Sequence, residues 1–285
     1  MSRIVTLRLM GGLGNQLFQF AAGCYLSTLQ EVAVQFDDSW FAHAGRGGAT
    51  PREFELGSLL SPHEMTHVTP VSARLRYRRG NPSAFVEDER APGGLDELPS
   101  RIRTLQGYFQ VARYPLDIRA VLTARLLPVV DRVVPISGAS NAIGVHLRLG
   151  DYASNPTVAA YHGATSPRYF RDAVQIARAD TPDAPVVVFT DSPDLARETG
   201  FLDQVGTPVD VVHARTAWET LADLSSCRAI VMSNSSLSWW AALVATVLRA
   251  RELVVVYPSP WLAAPSATDA ALTVPGWRRL SRLNT

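Results

Sequence analysis

Chemically active side chains follow four apolar runs of this sequence, each at a point where a buried strand would end. The four segments are GGLGNQ (11–16), HLRLGDY (146–152), TDS (190–192) and SNSSLS (233–238). Together they supply glycines, hydroxyls, amides, one histidine, one arginine and two carboxylates. This set suits a phosphorylated ligand, which backbone N–H groups and a guanidinium both bind. It contains neither the ligand spacing of a metal site nor a GxSxG nucleophile elbow.

The run AIGVHLRLG (142–150) predicts a strand with two unlike faces. Side chains alternate across a strand, so His146 and Arg148 share one face, and Leu149 lies on the other with the apolar residues. A buried guanidinium requires an anionic partner. A ligand diphosphate and an aspartate of the fold both meet this requirement, and spacing alone does not choose between them. Asp151, in the glycine turn that follows, is a candidate general base, and a turn-stabilising role explains it equally well.

GGLGNQ follows a predicted strand and opens a helix that we expect from about Leu17 to Gln30. Gly12, Gly14 and Asn15 are candidate phosphate-binding residues, because a helix N-terminus favours an anion. The segment matches neither GxGxxG nor GxxxxGK[ST]. A tight turn that needs glycines for positive φ is therefore an open alternative.

SNSSLSWW predicts a strand-to-helix turn with more hydroxyls than one helix cap needs. Ser235, Ser236 or Ser238 would cap the helix. The remaining hydroxyls, with Asn234 and backbone N–H groups, would form an anion cradle.

Two other features belong to predicted strand ends. Asp191 ends the run APVVVFTD (184–191). An acid at that place binds a ribose hydroxyl or a base N–H in dinucleotide folds, and it also serves as a helix N-cap. Trp239 and Trp240 follow the serines, and we expect them in the core or at a domain interface rather than as a sugar platform.

Apolar runs alternate with helical patterns along the chain, which predicts an α/β fold with parallel sheets covered on both faces. We place an N-terminal α/β domain at residues 1–135 and a Rossmann-like C-terminal domain at residues 140–285. Residues 43–100 are rich in Gly, Pro and charge, which predicts loops and short helices. Residues 266–285 are assigned no element.

The composition excludes several classes of protein. The formal net charge is +1 on 285 residues, so no strong field selects nucleic acid. Basic residues cluster at RLRYRRG (74–80), which predicts either a solvated loop or a contact to phosphate or a lipid surface. Two distant cysteines and the absence of a signal-peptide pattern favour a cytoplasmic location, with peripheral attachment to the inner face of the membrane left open. The uncharged stretch Ala229–Leu248 is not a membrane span, because SNSSLS interrupts it.

Four motifs, in this order, resemble the galactoside α-1,2-fucosyltransferases of bacteria and animals: MGGLGNQLFQFAAG, GYFQVARY, HLRLGDY and SNSSLSWWAA. FDDSW, FEL and FTDS fit the same pattern. The resemblance implies a GT-B-like fold, in which two Rossmann-like domains face each other across a cleft. It also implies inverting transfer of L-fucose from a GDP-fucose donor to O-2 of a galactoside acceptor, with no cofactor and no required metal ion.

The resemblance also implies roles for single residues. Arg148 would hold the donor diphosphate, His146 would lie against the nucleotide, and Asp191 would face the guanosine. The turn at 235–238 would cradle phosphate, and Asn15 would reach across the cleft from the N-terminal domain.

Leu149 departs from the family pattern, which usually has a second arginine at this position. Two alternatives follow, namely another donor sugar and a non-catalytic module that binds a glycan or nucleotide. An oxidoreductase that uses GGLGNQ as its dinucleotide loop is a third hypothesis, and the missing GxGxxG argues against it. The sequence determines neither the acceptor nor the oligomeric state.

Overall fold

The computed structural model describes residues 3–43, 52–88, 92–149, 160, 162–163, 165–198, 200–205, 209–212, 215–263 and 266–283. The chain forms two compact units. The first comprises Met1–Val129 with Ala270–Leu272, and the second comprises Val130–Asp269 with Thr273–Thr285. The break therefore falls a few residues before the predicted boundary at 135. Residues 270–272 join the first unit, where the carbonyl of Ala271 accepts the N–H of Ala112 at 2.7 Å.

The first unit contains a five-stranded sheet in the order β3-β2-β1-β5-β4, with every pair of neighbours parallel. The strands are β1 Ile4–Arg8, β2 Ala33–Asp37, β3 Met65–Thr66, β4 Ala84–Val86 and β5 Thr104–Gln106. The helices that follow them in the chain are α1 Leu13–Gln30, α2 Pro70–Arg76, α3 Arg113–Asp117, α4 Arg119–Arg125 and α5 Leu127–Val130.

Three predictions for this unit need correction. Residues 43–100 contribute two strands of the sheet, β3 and β4, which at two and three residues are too short to show a period. The segment YPLDIRAVLTARLLP (114–128), whose pattern predicts one helix, forms parts of three short helices, and Ile118 at φ −105° and ψ 23° separates the first two. Helix α1 begins at Leu13, four residues before its predicted start.

The second unit contains a six-stranded sheet in the order β11-β10-β9-β6-β7-β8, again with parallel neighbours. The strands are β6 Ile143–Leu147, β7 Val186–Thr190, β8 Val209–Val212, β9 Ala229–Val231, β10 Val254–Ser259 and β11 Arg278–Ser281. The helices are α6 Pro167–Asp180, α7 Pro193–Glu198, α8 Phe201–Gln204, α9 Ala217–Ser226, α10 Ser236–Leu243 and α11 Ala267–Ala271. Residues 266–285, for which the sequence predicts no element, thus supply a helix and the sixth strand.

In both sheets the order in which successive strands are added reverses at the first strand, while all strands stay parallel. In the second unit β6 lies between β7 and β9, and in the first unit β1 lies between β2 and β5. Numbered from β6, the second sheet has the order 3-2-1-4-5-6 of dinucleotide-binding folds, whose ligands bind outside the carboxyl ends at the reversal. The predicted α/β fold with parallel sheets is confirmed, and the reversal tells us where in each unit to look for a site.

The core of the second unit consists of the apolar faces of its strands with α6. Trp239 and Trp240 of α10 are fully buried, as expected for core residues. Cys24 and Cys227 form no disulfide, and burial raises the pKa of each thiol to about 12. No helix in the described part of the chain is long and apolar enough to cross a membrane.

Candidate functional site

The reversal point of the second sheet brings the end of β6 next to the serine turn, residues 233–238. The backbone N–H of Ser233 donates to the carbonyl oxygen of His146 at 3.1 Å. The Oγ of Ser233 lies 3.4 Å from Nδ1 of the same histidine. Two segments that are almost ninety positions apart in the sequence therefore meet at one edge of the sheet, where open α/β sheets bind ligands.

His146 is a buried residue of β6, with 5% of its surface exposed. Burial, and to a smaller extent the positive charge of Arg148, lowers the pKa of His146 to about 4. The imidazole is therefore neutral at pH 7 and offers hydrogen bonds but no charge. Positive charge for a phosphate must come from another group.

Arg148 supplies such a charge just beyond the last residue of β6, where it is partly buried. Its charge lowers the pKa of His146 while that of Asp191 raises it, so both groups lie near the imidazole. The Asp191 carboxylate accepts the backbone N–H of Leu149 at 3.0 Å and thereby joins the ends of β6 and β7. The Leu149 side chain packs against the apolar core, as the division of the strand into two faces predicts.

The serine turn leads from β9 into α10. Ser235 precedes the helix, and its hydroxyl makes no capping hydrogen bond. Ser238 is fully buried, and its Oγ donates to the carbonyl of Ser235 at 3.0 Å. Ser238 therefore supports the turn from inside, and its assignment as a donor-binding residue stays a prediction. The hydroxyls of Ser235 and Ser236 and the N–H groups of the first helical turn, which lack acceptors within the helix, remain to bind an anion.

Asn234, also predicted to bind the donor, is committed to the protein. It is 5% exposed. Its Nδ2 donates to the carbonyls of His162 at 3.1 Å and Trp261 at 3.3 Å, and its Oδ1 accepts from Thr165 Oγ1 at 3.1 Å. The amide therefore positions the serine turn, and its assignment as a donor-binding group stays a prediction.

Arg282, which sequence reasoning missed, binds the same stretch of backbone as Asn234. It follows β11 and is 1% exposed. Its Nη1 and Nη2 donate to the carbonyls of Gly163 and His162, both at 2.6 Å, and its Nε donates to Pro260 at 2.5 Å. One arginine in a short tail carries no sequence signal of burial, because two of its three contacts join residues more than one hundred positions apart.

The N-terminus of α1, in the first unit, holds a carboxylate of the protein. The N–H of Leu13 donates to Glu55 Oε1 at 3.1 Å. Gly12 precedes the helix, and Gly14 is a buried residue inside it. The structure therefore favours the tight turn over a phosphate loop, since an anionic ligand would compete with Glu55 for this N-terminus.

Amide side chains connect the two loops at the reversal of the first sheet. Nε2 of Gln110, in the GYFQ segment after β5, donates to Asn15 Oδ1 at 2.8 Å. Gln19 is fully buried and joins the same loops, accepting from the N–H of Met10 and donating to the carbonyl of Gly107, each at 2.9 Å. Asn15 and Gln110 remain partly exposed at this edge.

Glu87 fixes the GYFQ segment in an unusual conformation. Phe109 has φ +52°, and its N–H donates to Glu87 Oε2 at 2.6 Å. A Cβ at Gly107 would lie 2.4 Å from Glu87 Cβ, so only glycine fits there. A non-glycine residue at positive φ is uncommon and is held in place by its surroundings. Sequence reasoning missed Glu87, because it lies in residues 43–100, whose composition predicts only loops and short helices.

The model of Glycosyl transferase family 11 matches residues 97–281, which include the end of β6 and the whole serine turn. The match covers more than half of the 285 residues. The chain belongs to glycosyl transferase family 11. The resemblance that the motifs indicated is thus confirmed at the level of the family.

Two Escherichia coli relatives of this family 11 chain extend over nearly its whole length. The O-antigen biosynthesis glycosyltransferase WbnK is 24% identical, with 95% of this chain and 99% of the relative covered. An alpha-1,2-colitosyltransferase is 23% identical, with 90% and 92% covered. Among solved structures, POFUT1 in complex with GDP has 12% identity and a TM-score of 0.48, with 89% of this chain and 98% of that chain covered.

Two expectations for this family 11 glycosyltransferase stay predictions, namely that Asp151 is the general base and that no metal ion is required. Asp151, the candidate base, and Gly150 before it lie outside the described residues. Within the described ranges, no three His, Cys, Asp or Glu side chains lie together as metal ligands would.

Proposed function

We propose that this glycosyltransferase moves L-fucose from GDP-fucose to O-2 of a galactoside in an oligosaccharide or surface glycan, with inversion at the anomeric carbon. The observation that carries the proposal is that the end of β6, which Arg148 follows, lies beside the serine turn that leads into α10 at the reversal between β6 and β9. Arg148 and the N-terminus of α10 both stabilise negative charge on a departing diphosphate. The relative that is an alpha-1,2-colitosyltransferase supports a 1,2 linkage.

The transfer exchanges one bond at the anomeric carbon for another. The bond from this carbon to the β-phosphate oxygen breaks, and its electron pair leaves with GDP. The acceptor hydroxyl attacks from the opposite face and gives its proton to a general base, for which Asp151 is the candidate. Arg148 and the N–H groups of α10 interact more strongly with the negative charge that develops on the leaving oxygen in the transition state than with the bound donor, as catalysis requires.

His146 takes a supporting part in this proposal. A neutral imidazole has one nitrogen that donates and one that accepts a hydrogen bond, and its contact with Ser233 Oγ links β6 to the serine turn. The first unit is the proposed acceptor side, where the amides of Asn15 and Gln110 can exchange hydrogen bonds with sugar hydroxyls.

The direct test measures GDP release from GDP-fucose by the purified protein, alone and with a panel of β-galactosides. We expect slow release without acceptor and faster release with one acceptor. The product should carry an α-fucosyl group on O-2, which NMR coupling constants and linkage analysis identify. A protein that binds GDP without ever releasing it from GDP-fucose would be the non-catalytic module, and binding of NAD(P) instead would support the oxidoreductase.

A second donor deserves the same assay, because Leu149 replaces the usual arginine and a relative transfers colitose. GDP-colitose turned over faster than GDP-fucose, with the same acceptor, would replace fucose by colitose in the proposal. The diphosphate site and the inversion at the anomeric carbon would stay as proposed.

A further inference from the structure

Helix α2 holds two large apolar side chains in solvent. Val71 is 74% exposed and Leu75 is 64% exposed. They are four positions apart and therefore lie on the same side of the helix. The opposite side packs inward, where Ala73 and Tyr77 form a small buried cluster with Val68. The helix is thus anchored by one face and leaves an apolar face uncovered.

Arginines surround this apolar face. Four of them are exposed, namely Arg74, Arg76, Arg78 and Arg79. Residues 65–86 contain no aspartate or glutamate, and none of the four arginines forms an ion pair with any carboxylate in the described ranges. We call Val71, Leu75 and the four arginines the 71–79 surface. It combines apolar groups with a concentrated positive charge in a chain whose net charge is only +1.

Side-chain hydrogen bonds fix both ends of α2. Thr69 caps its first turn by accepting the N–H of Ser72. At the other end Asn81 Nδ2 donates to the carbonyl of Leu75 at 3.2 Å, and Thr104 Oγ1 donates to that of Arg76 at 3.1 Å. The 71–79 surface therefore stands on a defined backbone joined to the sheet through β5.

We propose that the 71–79 surface docks the protein on an anionic lipid bilayer, with Val71 and Leu75 in the interface and the arginines on lipid phosphates. Basic residues at an anionic surface and apolar side chains at the acyl boundary act together in such binding. A single-stranded nucleic acid would instead need exposed aromatic faces, and Tyr77, the aromatic residue of this segment, is 5% exposed. The proposal is independent of the donor and the acceptor.

The test is co-sedimentation with phosphatidylcholine vesicles that contain or lack phosphatidylglycerol. The wild type should bind only the vesicles that contain phosphatidylglycerol, and this binding should weaken as the salt concentration is raised. Arg74→Gln with Arg78→Gln should weaken the partition by about fivefold for each arginine removed. Val71→Ser with Leu75→Ser should weaken it by about tenfold or more. These side chains are exposed, so circular dichroism should show an unchanged melting temperature.

Val134→Ser is the matched control, because Val134 is 80% exposed and belongs to the other unit. It should leave vesicle binding unchanged. Equal binding to neutral and anionic vesicles, or binding that survives both double variants, would overturn the proposal. So would binding of single-stranded RNA in place of vesicles, or sedimentation without vesicles that the 71–79 variants abolish, which would identify a second copy of the chain as the partner.

Discussion

At the scale of single residues, His146 and Arg148 differ in charge although they lie two positions apart on one face of a strand. His146 is within β6 and buried, which keeps it neutral, whereas Arg148 follows the strand and is partly exposed. A guanidinium keeps its proton in either setting. The positive charge of this strand end is therefore that of Arg148.

Replacing Arg148 by alanine should lower kcat/KM by about 100-fold or more, because a charged contact to the transition state is worth roughly 3 kcal/mol. The melting temperature should stay within a few degrees of the wild type. Arg171→Ala, which removes a half-exposed arginine of α6 that pairs with Asp172, is the control. Turnover close to that of the control would rule out the diphosphate role.

Leu149→Arg tests the two faces of the strand. The side chain packs against the core but is only partly buried, so we expect a loss of about 1–3 kcal/mol in the free energy of unfolding and no gain in activity. Leu149→Met keeps the volume and should cost less than about 1.5 kcal/mol. Urea unfolding measures both. Higher activity in the arginine variant at unchanged stability would place position 149 in the site.

The buried His146 makes stability depend on pH in a defined direction. Its folded pKa is about 4, below the unfolded value of about 6.5, so the unfolded chain binds more protons between these values. Stability from this group is complete above pH 6.5 and falls as the pH falls through that window, by about 2 kcal/mol at pH 5.

Urea unfolding at pH 7.5 and pH 5 checks this dependence. His146→Gln should lose stability less steeply than the wild type between the two conditions, whereas His63→Gln, at an exposed position, should follow the wild type. A His146 variant with the same pH slope as the wild type would show that the imidazole is not held neutral.

At the scale of elements, one residue after the last strand and one in the serine turn both bind the backbone at residues 162 and 163. Arg282 after β11 and Asn234 after β9 both donate to the carbonyls of His162 and Gly163. A shift of these carbonyls would move Asn234 and, with it, the N-terminus of α10. We therefore predict that Arg282 is a positioning residue that acts through the serine turn.

Arg282→Lys should raise KM for the sugar-nucleotide donor by about tenfold, because a lysine cannot reproduce the three-pronged contact. Arg251→Lys is a matched control, since Arg251 donates to the carbonyls of Ser225 and Cys227 before β9, at the opposite edge of the sheet. The control should lower the melting temperature with donor KM unchanged. Equal changes of KM in both variants would reduce Arg282 to a general stabilising role.

The elements also show where sequence patterns are sufficient. β6, β7 and β10 are five or six residues long and mostly apolar, which is enough to identify them as buried strands. β3 and β4 are too short for any period, and β11 has mostly exposed side chains, because it lies at the edge of the sheet. The strands that the sequence predicts are therefore those whose residue types by themselves indicate burial.

At the scale of the whole molecule, two parallel sheets each reverse at their first strand, and each reversal carries polar loops. The loops of the second unit offer a guanidinium and a helix N-terminus, whereas those of the first offer amides. This difference in charge fits a phosphorylated donor to the second unit and a neutral sugar to the first.

Metal removal tests whether this charge is sufficient. We expect transfer to continue in excess EDTA, with Mg²⁺ or Mn²⁺ changing the rate only modestly, because in the proposed site Arg148 and the N-terminus of α10 would stabilise the leaving diphosphate. The measurement is initial rate with EDTA and after addition of each ion. Complete loss that one divalent ion restores would mean that a metal neutralises the leaving group, and Asp151 and Asp191 would then be candidate ligands.

The sequence by itself determined the α/β class, the strands at the centres of the sheets, the two faces of the β6 strand and the family. These depend on alternation and on residues close together in the chain. Only the tertiary structure decided that Asn234 and Ser238 support the serine turn, that Glu55 fills the N-terminus of α1, and that Arg282 reaches back to His162. The hydrogen bonds that a buried side chain forms depend on which groups pack beside it. Those groups can be far away in the sequence, so the sequence alone does not show that they are neighbours in space.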